Sequence, residues 1–177
     1  MTKTINTCKI VIVGDKGVGK TSLVHSLVGK EKIIKITPGV KIENMLVDLG
    51  ENITADVVFW NLEEDPHFRF FQQDVLECPN IVLLVYDLNN FSSLLHLENE
   101  CLPMFEKNDT LKKSTPILIG NKIDLGQSIN DKVIEDFIQK YGIPSFKISV
   151  KEKINIEEVA NATIEIVKSY YKKKKQS

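Results

Sequence analysis

The sequence predicts an α/β fold in three layers, a six-stranded, mostly parallel sheet with helices on both faces. Three observations carry this expectation. Short β-branched runs alternate with longer segments of helical period along the chain, the rhythm of βαβ units. Several runs, such as "KIVIV" and "IVLLVYD", are apolar without interruption, as expected of strands covered on both faces. The first run passes directly into a glycine-rich turn and then a helical pattern.

In chain order, the candidate strands are Lys9–Val13, Val40–Asp48, Ile53–Trp60, Ile81–Asp87, Pro116–Gly120 and Ser145–Ser149. Helical patterns lie between them. One starts at Lys20, another follows Arg69, and a third covers Phe91 to about Phe105. Pro103 lacks an N–H and is expected to end or kink the third. The fourth has Asn130 as N-cap, Val133, Ile134, Phe137, Ile138 and Tyr141 on one face, and Gly142 and Pro144 as stop signals. The last places Ile156, Val159, Ala160, Thr163, Val167 and Tyr170 at a 3.6-residue period. With no internal repeat or linker, the expected organisation is one domain over residues 1–171 and a short Lys-rich tail over 172–177.

Composition narrows the classes of function. At 177 residues, 42% hydrophobic and 27% charged, the chain suits one globular domain with an ordinary core. A formal charge of −1 gives no basic field for nucleic acid, and three histidines with three cysteines leave little for a metal cluster. Cys8, Cys78 and Cys101 are widely spaced, which points to free thiols in a reducing, cytoplasmic setting. The N-terminal apolar run is too short for a signal peptide, and no window reaches the roughly 18 apolar residues of a membrane span.

The strongest chemical signal is "GDKGVGKT", Gly14 to Thr21, which matches G-x-x-x-x-G-K-[ST] between a strand and a helix. Its glycines, Gly14, Gly17 and Gly19, let backbone N–H groups turn inward around a diphosphate, and the following helix adds the positive end of its dipole. Lys20 is expected to reach the β- and γ-phosphates and the Thr21 hydroxyl to ligate Mg²⁺. The second signal is "NKID", Asn121 to Asp124, at the end of the run "PILIG", the sheet edge where ligands of open α/β folds bind. The Asp124 carboxylate can accept from both the ring N–H and the exocyclic amine of guanine. Adenine offers neither, and an acceptor left unpaired is costly, so ATP is disfavoured.

With these motifs the chain resembles the Ras superfamily of small GTPases, and within it the Rab-like members, from Lys9 to about Tyr171. The fold this implies is the P-loop NTPase G domain. "GDKGVGKTSL" is similar to the family's phosphate loop, and "TPGV", Thr37 to Val40, to its first switch. "LLVYDLNNFSSL" resembles the fourth strand and following turn, "NKID" the guanine motif, and "SVK", Ser149 to Lys151, the family's Ser-Ala-Lys. The resemblance implies GTP or GDP with Mg²⁺ as ligands, bound by Asp15, Lys16, Gly17, Val18, Gly19, Lys20, Thr21 and Ser22 at the phosphates. On the base side it implies Asn121, Lys122, Asp124, Ser149, Val150 and Lys151. In that frame Thr37 gives its hydroxyl to Mg²⁺ and its N–H to the γ-phosphate, the Lys122 stem covers the guanine face, and the Val150 N–H meets the base oxygen.

"WNLEEDPHF", residues 60–68, lies over the family's second switch, Trp-Asp-Thr-Ala-Gly-Gln-Glu-Arg-Phe, and keeps only its two ends. Asn61 replaces the aspartate that holds Mg²⁺ through water, so the metal loses a negative partner. Glu64 replaces a glycine whose N–H meets the γ-phosphate, restricting the backbone and bringing like charge. Asp65 replaces the glutamine that orients the attacking water, and a carboxylate cannot donate that hydrogen bond.

Lys16 stands where a small residue normally admits an arginine finger. It either neutralises phosphate charge in cis or is a solvated loop lysine. Between Thr21 and Thr37 there is no aromatic residue to stack beside guanine, so faster exchange is expected unless Ile33 or Ile34 substitutes. Trp60 reads as a core or switch-surface aromatic. The cluster of Phe68, Phe70 and Phe71 suits either an effector surface or burial.

The chain ends in "YYKKKKQS" with no cysteine after Cys101, so prenylation is not expected. Lys172 to Lys175 suit a solvated helix end, a membrane-proximal basic patch or a linker. The function expected is a Rab-like GTP switch with slow hydrolysis, acting through effector or regulatory proteins. It would be cytoplasmic, with peripheral association on endomembranes left open. The alternative is a pseudo-GTPase that holds nucleotide and recruits partners without a hydrolysis cycle. An ATP-using enzyme is the remote third reading.

Overall fold

Apolar side chains alternate between two clusters along the central strands, and that alternation builds the layers. In a computed structural model, which describes residues 4–29, 33–37, 40–50, 53–62, 78–106 and 110–175, seven strands form one sheet. They are β1 (Thr4–Val13), β2 (Ile33–Thr37), β3 (Val40–Gly50), β4 (Ile53–Leu62), β5 (Ile81–Asp87), β6 (Thr115–Asn121) and β7 (Ser145–Lys147). Their order is β2-β3-β4-β1-β5-β6-β7. The five strands from β4 to β7 pair in parallel, and β2, β3 and β4 pair antiparallel.

Cys8, Ile10 and Ile12 of β1, with Ile81, Leu83 and Val85 of β5, pack on one face. That face is covered by α1 (Lys20–Val28) and the C-terminal helix Ile156–Lys175. Val11, Val13, Val82, Leu84 and Tyr86 pack on the other, under the helical segment that starts at Phe91 and the helix Asp131–Tyr141. The expected three layers with helices on both faces are therefore present. Cys8, Cys78 and Cys101 are free thiols, and burial pushes that of Cys8 up to about 12. Among the described residues no helix is long and apolar enough to cross a membrane.

Four details differ from the sequence reading. The sheet has seven strands rather than six, because "IIKIT" folds back on β3 with Thr37 opposite Val40. A five-residue run has too little periodicity to separate strand from loop. The last strand stops at Lys147, and Ser149 forms a bridge with Ile154 instead. Val133 lies outside the core, leaving Ile134 and Phe137 as the buried residues of their helix. Tyr170 is exposed, whereas Tyr171 is buried and donates its hydroxyl to the Thr7 carbonyl at 2.6 Å. The helix expected after Arg69 lies outside the described residues.

Pro103 neither ends nor breaks its helix. It follows α2 (Phe91–His96) and a π-helical turn (Leu97–Cys101) and sits in α3 (Leu102–Glu106). In the wide turn the Leu102 N–H reaches back to the Leu97 carbonyl, relaxing the tight ladder that a proline ring disturbs. The remaining helices are α4 (Thr110–Lys113), α5 (Asp131–Tyr141) and α6 (Ile156–Lys175). Asn130 caps α5 by accepting from the Lys132 N–H, and Gly142 closes it in a left-handed conformation, as expected.

Gly120 has no room for a side chain against the second core. A Cβ there would lie 2.7 Å from the Tyr86 hydroxyl and 2.8 Å from Leu88 Cδ2. Gly120→Ala is expected to lower stability by about 1–3 kcal/mol through overpacking, read as a lower urea midpoint. An unchanged midpoint would show that the Tyr86 ring yields freely.

Candidate functional site

The order of strands reverses at β1, whose neighbours in the sheet are β4 on one side and β5 on the other. Such a switch point opens a crevice at the C-terminal ends of the strands. The loops after β1, β6 and β7 carry the residues singled out in the sequence.

After β1, Gly14 passes so close to β5 that a Cβ would fall 2.1 Å from the Val85 carbonyl oxygen. At the start of α1, Gly19 has φ +99, and a Cβ would fall 2.3 Å from the Asn121 amide nitrogen. Both positions therefore require glycine. The helix begins with no side-chain cap and no acidic residue in its first turn, so its first amides and dipole face the loop uncompensated by side chains. Lys20 folds over the loop, donating to the Gly14 carbonyl at 2.6 Å and the Asp15 carbonyl at 2.8 Å. The Asp15 carboxylate accepts from the Lys16 N–H at 2.7 Å, and the Lys16 and Ser22 side chains are exposed. A concave set of amides with a lysine across it can receive a phosphate chain.

The base-side loops are held from beneath. Asn121, at the end of β6 and buried, donates to the Val18 carbonyl at 2.8 Å and accepts from the Val150 N–H at 3.1 Å. One side chain thus joins the phosphate loop to the loop after β7. The Val150 N–H, expected to meet a base oxygen, is engaged by Asn121 here. Asp124 accepts from the Ser149 hydroxyl at 2.6 Å, and that hydroxyl accepts from the Glu152 N–H. Lys151 is exposed.

Sequence reasoning missed the groups that set Lys122. Its backbone is left-handed, at φ +68, and its amine pairs with Asp87 of β5 at 2.7 Å. Asn89 donates to the carbonyls of Lys122 and Gly126. The register places Asp87 opposite Asn121, and only the register reveals it. His25 of α1 and the buried Glu43 of β3 were missed in the same way; they meet at 2.9 Å and tie the helix to the sheet.

The metal end is built differently. Asn61, near the end of β4 and 2% exposed, donates to the Thr21 hydroxyl at 2.8 Å. Its Oδ1 is buried with no hydrogen-bond partner among the described residues. Thr21 and Asn61 are hard oxygen donors of the kind Mg²⁺ takes, and an orphaned acceptor suits a metal-bound water, so the residues fit the ion in kind. They are both neutral. Among the described residues no cluster of three or more His, Cys, Asp or Glu gathers anywhere. Thr37 ends β2, with its backbone paired to Val40. Glu64, Asp65, Phe68, Phe70 and Phe71 lie outside the described residues. Trp60 is half-buried, with the Lys9 amine 5.0 Å from its ring.

Because Asn121 satisfies two groups at once, Asn121→Ala is expected to cost about 2–3 kcal/mol in nucleotide-free protein. Urea unfolding checks this, and a loss within error of zero would show that the loops hold without it.

Comparison with known proteins agrees with this geometry. A family model described as "Ras family" matches residues 9–169. The human Ras-related protein Rab-7b is 30% identical over 152 residues, covering 84% of this chain and 76% of its own. The Ypt/Rab-type GTPase avaA of Emericella nidulans is 34% identical over 162 residues, covering 85% and 77%. The Ypt/Rab-type GTPase YPT7 of Saccharomyces cerevisiae is 29% identical over 174 residues, covering 90% and 83%. A matched sequence, a parallel sheet with its switch point at β1, and a phosphate loop joined to an Asn-Lys-x-Asp loop converge: the chain belongs to the Ras family of small GTPases, among its Rab-like members.

Proposed function

We propose that this chain is a guanine-nucleotide switch of the vesicle-trafficking kind that binds GTP firmly enough to signal and hydrolyses it slowly. The family binds GTP and GDP with Mg²⁺, and its members are GTPases that work with effectors and regulators. The observation that carries the reading is the Asn121 bridge, which links the Gly14–Thr21 loop to the loop after β7. That bridge sets the phosphate and base ends of one elongated ligand at a fixed separation.

In this reading the inward amides of residues 15–22, with Lys20, hold the phosphates, and Lys16 adds charge from the rim. Asp124 accepts from guanine, Asn121 and Ser149 hold the loops, and the Lys122 stem lies against the purine. The backbone at Val150 and Lys151 closes that side. Thr21 and Thr37, with Asn61 through a water, would be the groups to hold Mg²⁺ when it is present, and the ion would there offset phosphate charge. Thr37 moves from its strand toward the γ-phosphate when the first switch closes, and partners read that ordering. Residues 1–171 act as the G domain. The chain works in the cytoplasm and on the surface of endomembranes.

The chemical step is where this chain departs from its family. Attack on the γ-phosphate needs an oriented water and stabilised charge. Asn61 supplies an amide in place of a carboxylate, Glu64 brings negative charge, and Asp65 cannot donate to the oxyanion. A pseudo-GTPase that holds nucleotide and recruits partners is the second reading, favoured by the neutral Asn61–Thr21 pair.

Single-turnover hydrolysis is expected to run no faster than about 10⁻⁴ s⁻¹, the order shown by unaided relatives. A clearly faster rate would sink the slow-switch reading, and GTP intact after days would favour the pseudo-GTPase. Asp124→Ala is expected to erase the preference for GTP over ATP in equilibrium binding, a loss of roughly 10²-fold or more. Retained preference would remove Asp124 from base recognition.

A further inference from the structure

Thr21 is the one hydroxyl at the mouth of the phosphate loop that the family's metal would use, and here it is already engaged. Asn61 Nδ2 lies 2.8 Å from Thr21 Oγ1, with Asn61 2% exposed and Thr21 half-buried. Whichever way the amide is turned, one of its polar atoms is spent on Thr21. A carboxylate at this position would draw a divalent cation by charge, and an amide offers only a dipole. Lys16 lies exposed on the same loop, four residues before Lys20. The phosphate end has therefore lost a negative charge that would favour the metal and gained a positive one that favours phosphate.

We propose that this chain retains guanine nucleotide with little dependence on Mg²⁺, its Asn61–Thr21 contact and Lys16 replacing the ion as the organiser of the phosphate end. This rests on the guanine-nucleotide reading above. Thermodynamically it states that the coupling between metal and nucleotide, which is reciprocal, is close to nil in this protein. Metal-free buffer would then neither empty the site nor speed exchange.

The test follows release of a fluorescent GDP analogue from the full chain into excess unlabelled GDP, in Mg²⁺ and in EDTA. The expected acceleration by EDTA is below about fivefold, and a larger one overturns the inference. Asn61→Asp restores the carboxylate and is expected to raise that ratio to about tenfold or more. If the variant stays as insensitive as the parent, Asn61 is not the cause and the proposal falls. Lys16→Ser is expected to speed release more in EDTA than in Mg²⁺; an equal effect in both removes Lys16 from the account. Equilibrium titration separates the two levels of failure. Tight binding only with Mg²⁺ overturns this inference alone, whereas no binding in either buffer overturns it together with the guanine-nucleotide reading.

Discussion

The cleft depends on one carboxamide. Asn121 leaves the end of β6 with its side chain buried and uses both polar atoms, one on the carbonyl of Val18 and one on the N–H of Val150. Without it, the phosphate loop would lose its side-chain tie to the two base-side loops, which Ser149 and Asp124 still join to each other. With it, their separation is set before any ligand arrives, which lowers the ordering cost of binding. The neighbouring contacts serve the same end. Asp87 fixes the Lys122 amine, Asn89 holds the Lys122 and Gly126 carbonyls, and Ser149 steadies the Asp124 carboxylate.

The two ends of the cleft differ in kind. On the base side, Lys122 pairs with Asp87 and Asp124 accepts from Ser149, so those groups are held in place. At the metal end, neutral Asn61 and Thr21 lean on each other, with one buried acceptor unfilled. Binding energy and turnover draw on different parts of such a site. Interactions made equally with the ground state and the transition state hold a ligand without accelerating its chemistry. A chain that kept the first set and weakened the second would, on the reading proposed above, hold its nucleotide while converting it slowly. Such a chain would signal occupancy more than turnover.

Much of this was legible in the sequence because it is local. The phosphate loop, the Asn-Lys-x-Asp turn and the Asn130 cap are short motifs whose residues act on near neighbours or on a ligand. The layers were legible for the same reason: uninterrupted apolar runs imply burial on both faces. What was missed is non-local or too short. Asp87 meets Lys122 only because β5 and β6 pair in register, and His25 finds Glu43 only because α1 lies over β3. The strand Ile33–Thr37 is only five residues long, too short for its period to mark it as a strand. Tyr171 was displaced by its neighbour Tyr170, since a periodicity argument over a long helix drifts by a residue near its end.

That same tyrosine has a further effect on the architecture. Its hydroxyl, near the end of α6, rests on the carbonyl of Thr7, near the start of β1. Elements 164 positions apart in the sequence are thereby fastened to each other. The last helix therefore cannot peel from the sheet without giving up a hydrogen bond to its middle strand.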